Sequence, residues 1–142
     1  MHDAIENLRA AQQRAMTIRP KVGGFPVLAE VLRQAGVHRN EWHLPSAASI
    51  YRTDLGPVVD QGTPLVSGKA AVPAFDRDAL IRALRADQSG RTTFPEFLRA
   101  AWEAGVVRYV ADFDARTVTY VGVTGDEYVE AYPSADLGAL AP

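Results

Sequence analysis

The sequence predicts an α+β domain of two layers, with helices on one face of an antiparallel sheet and an internal duplication of a helix-helix-strand-strand unit. Three observations carry that expectation. Phe25-Pro26 followed by Ala35-Gly36-Val37 recurs 69 positions later as Phe94-Pro95 followed by Ala104-Gly105-Val106, and at the same offset Arg39 meets Arg108 and Tyr51 meets Tyr120. Around each Phe-Pro, apolar residues recur with helical spacing. Beyond each Ala-Gly-Val the chain turns to β-branched and aromatic residues. Phe-Pro opens a helix because the proline φ is pre-set for a first turn, and Ala-Gly-Val closes it because glycine accepts the left-handed cap.

The elements follow in order. Residues 3–18 place Ile5, Leu8, Ala11 or Gln12, Ala15 and Ile18 on one helical stripe, with Asp3 and Glu6 in the first turn. Residues 25–35 repeat the pattern with Phe25, Leu28, Leu32 and Ala35. Residues 37–44 and 48–53 read as strands around Pro45-Ser46-Ala47. From 54 to 75, the glycines and prolines from Gly56 to Pro73 break any long element, leaving a loop with room for short strands at Pro57-Val58-Val59 and Leu65-Val66. Asp76 caps a helix carrying Leu80, Ile81 and Leu84. Thr93-Phe94-Pro95-Glu96 has capping-box spacing before a stripe of Phe94, Phe97, Leu98, Ala101 and Trp102. A meander ends the fold, 106–113, 116–123 and 126–132, and residues 134–142 are expected to fray. Leu8-Arg9-Ala10-Ala11-Gln12 is echoed by Leu84-Arg85-Ala86-Asp87-Gln88 at an offset of 76, so the pseudo-repeats span about 3–53 and 76–123 of one domain, 1–142.

Composition narrows the function. A chain of 142 residues buries roughly 68–70% of its unfolded surface and needs no staple. With no cysteine there are no disulfides, thiolate metal sites or thiol nucleophiles, which fits a reducing cytoplasm. Fifteen basic against seventeen acidic side chains argue against a general nucleic-acid binder or an anionic-membrane binder. Arg14, Arg19 and Lys21 form a short basic run that reads as solvated surface. No stretch is long and apolar enough for a membrane span or signal peptide.

Catalytic motifs are missing. Gly62 to Lys69 fails as a phosphate loop because Thr63 stands where the first glycine is needed and Ala70 where a hydroxyl would hold magnesium. His38 and His43, with Glu41, Asp54 and Asp60 near in sequence, could supply metal ligands, but the histidines are five apart on a strand, which sends them to opposite faces unless a bulge intervenes, so no metal or cofactor is expected. Asp112 with Asp114 offers a carboxylate pair, although Asp114 reads better as a turn residue. The serines Ser46, Ser49, Ser67 and Ser89 have no nucleophile elbow around them. The densest chemistry is Asn40-Glu41-Trp42-His43 facing Ser49-Ile50-Tyr51-Arg52. Trp42, His43, Tyr51 and Arg52, with Lys69 from the loop, are therefore the candidate ligand-binding residues for a small anionic ligand.

The phrases Gly24-Phe25-Pro26, Trp42-His43-Leu44-Pro45-Ser46, Asp60-Gln61-Gly62, Thr93-Phe94-Pro95-Glu96-Phe97 and Trp102-Glu103-Ala104-Gly105-Val106 together resemble a bacterial, prophage-associated family of unknown function typified by YdfO and YbcV. The resemblance spans roughly residues 3 to 133, implies a single α+β domain of bacterial or phage origin, and brings no catalytic residue with it. Two functions remain open. The first is a non-catalytic homodimer burying the second sheet face, because Tyr109, Val110, Val118, Tyr120, Val121 and Val123 cannot all face one helix layer. The second is a ligand pocket between the 54–75 loop and the first strand pair.

Overall fold

The computed structural model describes residues 3–20 and 23–139. Lys21 of the basic run and the last three residues of the tail lie outside them. The elements are α1 (Asp3–Ile18), α2 (Phe25–Gln34), β1 (Val37–His43), β2 (Ala48–Thr53), β3 (Val58–Gln61), α3 (Arg77–Gln88), α4 (Phe94–Glu103), β4 (Val106–Asp112), β5 (Thr117–Gly122) and β6 (Glu127–Ala131), closed by a 3-10 turn at Leu137–Ala139. Each half thus reads helix, helix and three strands. The third strand of the first half, β3, is the Val58-Val59 stretch of the expected loop. Leu65 and Val66 form no strand; both backbone N–H groups donate to the Pro45 carbonyl instead.

The sheet is antiparallel throughout, in the order β3-β2-β1-β4-β5-β6. Glu41 pairs with Val110 at its centre, flanked by Arg39 with Asp112 and His43 with Arg108. The halves correspond closely. Bulges fall at Val37/Arg39 and Val106/Arg108. Leu44 N–H donates to the Val107 carbonyl, and Phe113 N–H to that of His38. Ala47 and Arg116, the last turn residues before β2 and β5, both take φ 56°, and Gly36 and Gly105 take 82° and 88°. Corresponding positions stand 69 apart, the offset of the Phe-Pro phrase.

All four helices pack on one face of the sheet, where Asn40, Trp42, Ser49, Tyr51, Tyr109, Ala111, Val118 and Tyr120 point. They meet Leu8, Ala11 and Ala15 of α1, Val27, Val31 and Leu32 of α2, Leu80 and Leu84 of α3, and Phe97, Leu98, Ala101 and Trp102 of α4. Ile5, Phe25 and Phe94 fall outside the buried stripes that their spacing implied. Phe25 and Phe94 are the first residues of their helices, at the margin of the core, whereas Ile5 lies off the buried stripe of α1, which runs through Ala4, Leu8, Ala11 and Ala15. Phe25 and Phe94 still dock edge-on, against Tyr132 at 5.1 Å and Trp42 at 5.4 Å. The tail does not fray at once, because Leu137 is buried beside α2.

Candidate functional site

Strand alternation gives the sheet a second face, with none of the described helices over it. Register places Val59, Ile50, Glu41, Val110, Thr119 and Val129 in one row across all six strands. Val59 and Val129 at its two ends are 68% and 54% exposed, so the row is open where an ordinary core strand would be closed. Glu41 is the one charge within it, and Arg52 Nε reaches its Oε1 at 3.2 Å. On one side lie Arg52, Arg39, Asp112 and Thr117; on the other lie His43, Arg108, Val121 and Glu127. Val121 is buried yet stands apart from the core cluster.

The five predicted site residues are divided. Trp42 and Tyr51 point into the helix layer, where Trp42 stacks on Tyr109 at 6.0 Å and burial raises the Tyr51 hydroxyl above its ordinary pKa. His43 and Arg52 point to the open face, and Lys69 lies exposed on the loop. A pocket formed by all five is not assembled, for two reasons. Adjacent residues on a strand face opposite ways. The 62–75 segment also runs past the first hairpin toward α4, where Arg99 donates to the Leu65 carbonyl, and Phe75 packs on Gly105 and Gly122. The Tyr109, Val118 and Tyr120 side chains likewise belong to the helix layer, leaving Val110 and Val121 on the open face.

One cluster was read only in part from the sequence, which set His38 beside Asp54 but not beside Asp114. His38 Nε2 lies 2.7 Å from Asp54 Oδ1 and its Nδ1 2.9 Å from Asp114 Oδ2, so one imidazole ties together the loop after β2 and the turn after β4. Hydrogen bonds that the imidazole donates to Asp54 and then to Asp114 hold its pKa above its ordinary 6.5. The bulge beside it does occur, but His43 is at the other end of β1. Asp112 is a turn-stabilising acceptor, taking the backbone N–H groups of Asp114 and Ala115. No group of three or more His, Asp or Glu able to hold a metal ion forms among the described residues. No described helix is long and apolar enough to cross a membrane.

The model of the family described as protein of unknown function DUF1398 matches residues 13–130. The chain belongs to the DUF1398 family. Relatives include the uncharacterized proteins Rv2012 and MT2067 of Mycobacterium tuberculosis and Mb2035 of Mycobacterium bovis, each 56% identical over all 142 residues and covered by them to 87% of its length. The DUF1398 match takes in α2, both hairpins, α3, α4 and most of β6, and with them the whole apolar row.

Proposed function

We propose that this DUF1398 protein is a non-catalytic interaction module that forms a homodimer through the open face of its sheet, in the bacterial cytoplasm. A kinship with the prophage-associated proteins YdfO and YbcV is part of the same proposal and rests on the shared phrases. The observation that carries the reading is the row of Val59, Ile50, Glu41, Val110, Thr119 and Val129, apolar apart from Glu41 and Thr119, which crosses six strands with no described helix above it. Six strands at a spacing of about 4.8 Å span about 24 Å, and their pleated surface approaches the roughly 800 Å² per partner of a stable interface.

A second copy is the occupant the charges favour. Arg39, Arg52 and Arg108 balance Glu41, Asp112 and Glu127 on this face, so it does not repel itself. With a two-fold axis along the strands between β1 and β4, Arg39 of one copy lies opposite Asp112 of the other, twice, while Val59 lies opposite Val129. His43 and Arg52, two of the candidate residues, then serve as rim groups. Light scattering over a dilution series tests this: wild type is expected to be a dimer, and Val110→Arg a monomer with unchanged circular dichroism. Wild type that is monomeric throughout, or a variant that stays dimeric, sinks the proposal.

A further inference from the structure

On the helix layer, away from the open face, three arginines line one surface concavity. Arg82, Arg85 and Arg91 line a concavity of about 470 Å³ on the outer side of α3, with Ile81 and Ala86 as its apolar wall. That volume falls within the roughly 300–1,000 Å³ of metabolite sites. Arginines in a last helical turn often only complement the helix dipole. Here the end of α3 is already capped by backbone: Ser89 N–H donates to the Arg85 carbonyl, Gly90 N–H to Asp87 and Arg91 N–H to Ala86. The charges also exceed their local partners. Arg82 has no hydrogen bond or ion pair among the described residues. Arg91 is held through Nε by the Ser89 hydroxyl at 2.8 Å, leaving its two terminal nitrogens unspent. Arg85 uses one nitrogen, Nη1, for both Glu130 at 2.7 Å and Gln88 at 2.9 Å. Asp87 is half-buried and acts on Tyr109, Tyr120 and Arg19, so it does not neutralise the group.

We infer that this concavity binds a phosphate monoester whose organic part rests on Ile81 and Ala86. Guanidinium forks match the oxygen pairs of a tetrahedral phosphate, and three forks around one anion suit a dianion with three terminal oxygens better than a planar carboxylate with two. Arg85 and Arg91 are pre-oriented by Glu130 and Ser89, so little side-chain entropy is lost when the ligand arrives. The site stays open in a dimer built through the opposite face of the sheet, and the inference is independent of that dimer.

Calorimetric titration of the full chain at low ionic strength tests it, with phenyl phosphate, inorganic phosphate and benzoate as probes. Phenyl phosphate is expected to bind, inorganic phosphate several-fold more weakly, and benzoate weakest. Arg82→Ala/Arg91→Ala is expected to lose affinity by roughly tenfold or more, the worth of one charge-assisted hydrogen bond, without a change in unliganded melting temperature. Absence of phenyl phosphate binding overturns the inference, as do equal affinity in the double variant or benzoate binding as tightly as phenyl phosphate. Equal affinity for the two phosphates removes the apolar contact and reduces the site to a phosphate subsite.

Discussion

From the second helix of each half onward the two halves of the chain start corresponding elements 69 positions apart, and then part in what surrounds them. Gly36 and Gly105 both end a helix with positive φ, yet a Cβ on Gly36 would lie 2.8 Å from the Asp54 carboxylate, whereas on Gly105 it would lie 2.4 Å from the Ala74 carbonyl oxygen and 2.5 Å from Phe75 Cα. The first neighbour is the end of a side chain and the second is backbone. Likewise α4 starts with a complete capping box between Thr93 and Glu96, while α2 starts at Gly24 with no side-chain cap. His38 binds two carboxylates, and its counterpart at the same offset is Val107. Architecture is repeated and local chemistry is not, so matched substitutions in the two halves separate what each neighbourhood adds.

The largest contrast is expected at the glycines. Gly105→Ala combines left-handed strain of about 1–2 kcal/mol with overpacking against immovable backbone, for a loss of about 3 kcal/mol or more. Gly36→Ala keeps the strain but lets Asp54 swing away, for about 1–2 kcal/mol. Urea unfolding at one protein concentration measures both, and equal losses would break the comparison.

A smaller effect is expected at the helix starts. Thr93→Ala removes a cap that accepts the Glu96 N–H at 3.3 Å, costing about 1 kcal/mol. The reciprocal gain is closed to α2, because a side chain at Gly24 would place Cβ 2.5 Å from the Pro20 carbonyl. Gly24→Ser is therefore expected to destabilise despite adding a capping hydroxyl, and a higher melting temperature for it would refute this account.

The smallest effect is a pH dependence centred on His38 of the first half, which the corresponding position of the second half lacks. Because the His38 pKa is raised in the folded state, its contribution is complete below 6.5 and fades as pH rises through the folded value. Wild type should lose stability relative to His38→Gln as pH climbs through that window, with the His38 imidazole titrating above 6.5 by NMR. Parallel stability curves for the two proteins would show that the two carboxylates contribute nothing there. Val107→His, lacking counterparts of Asp54 and Asp114, should show no such dependence.

Much of this was legible because it depends on near neighbours. Proline and glycine set backbone angles locally, so α2 and α4 begin at Phe25 and Phe94 as read, and the Thr93 capping box needs only four consecutive residues. Periodicity identified both hairpins and the helix layer. It misplaced Phe25 and Phe94 because spacing does not tell how far along a helix the core extends, and Ile5 because the small Ala4 beside it, not the larger isoleucine, lies on the stripe that packs. The candidate site was less legible. Trp42 with His43, and Tyr51 with Arg52, are adjacent in the chain and on opposite faces of the sheet.

What the sequence by itself determined is the α+β class, the punctuation of each element and the 69-residue rhythm, all of which follow from local backbone preference and side-chain period. Only the tertiary structure decided that β1 lies beside β4 with Glu41 against Val110, that β3 pairs from within the expected loop, and that His38 meets Asp54 and Asp114. The His38 contacts cross 16 and 76 positions, and like the strand pairings they are set by register and not by any residue's own propensity. The open apolar row is the clearest case: its six members are scattered from Glu41 to Val129, and only the pairing of six strands makes them one surface.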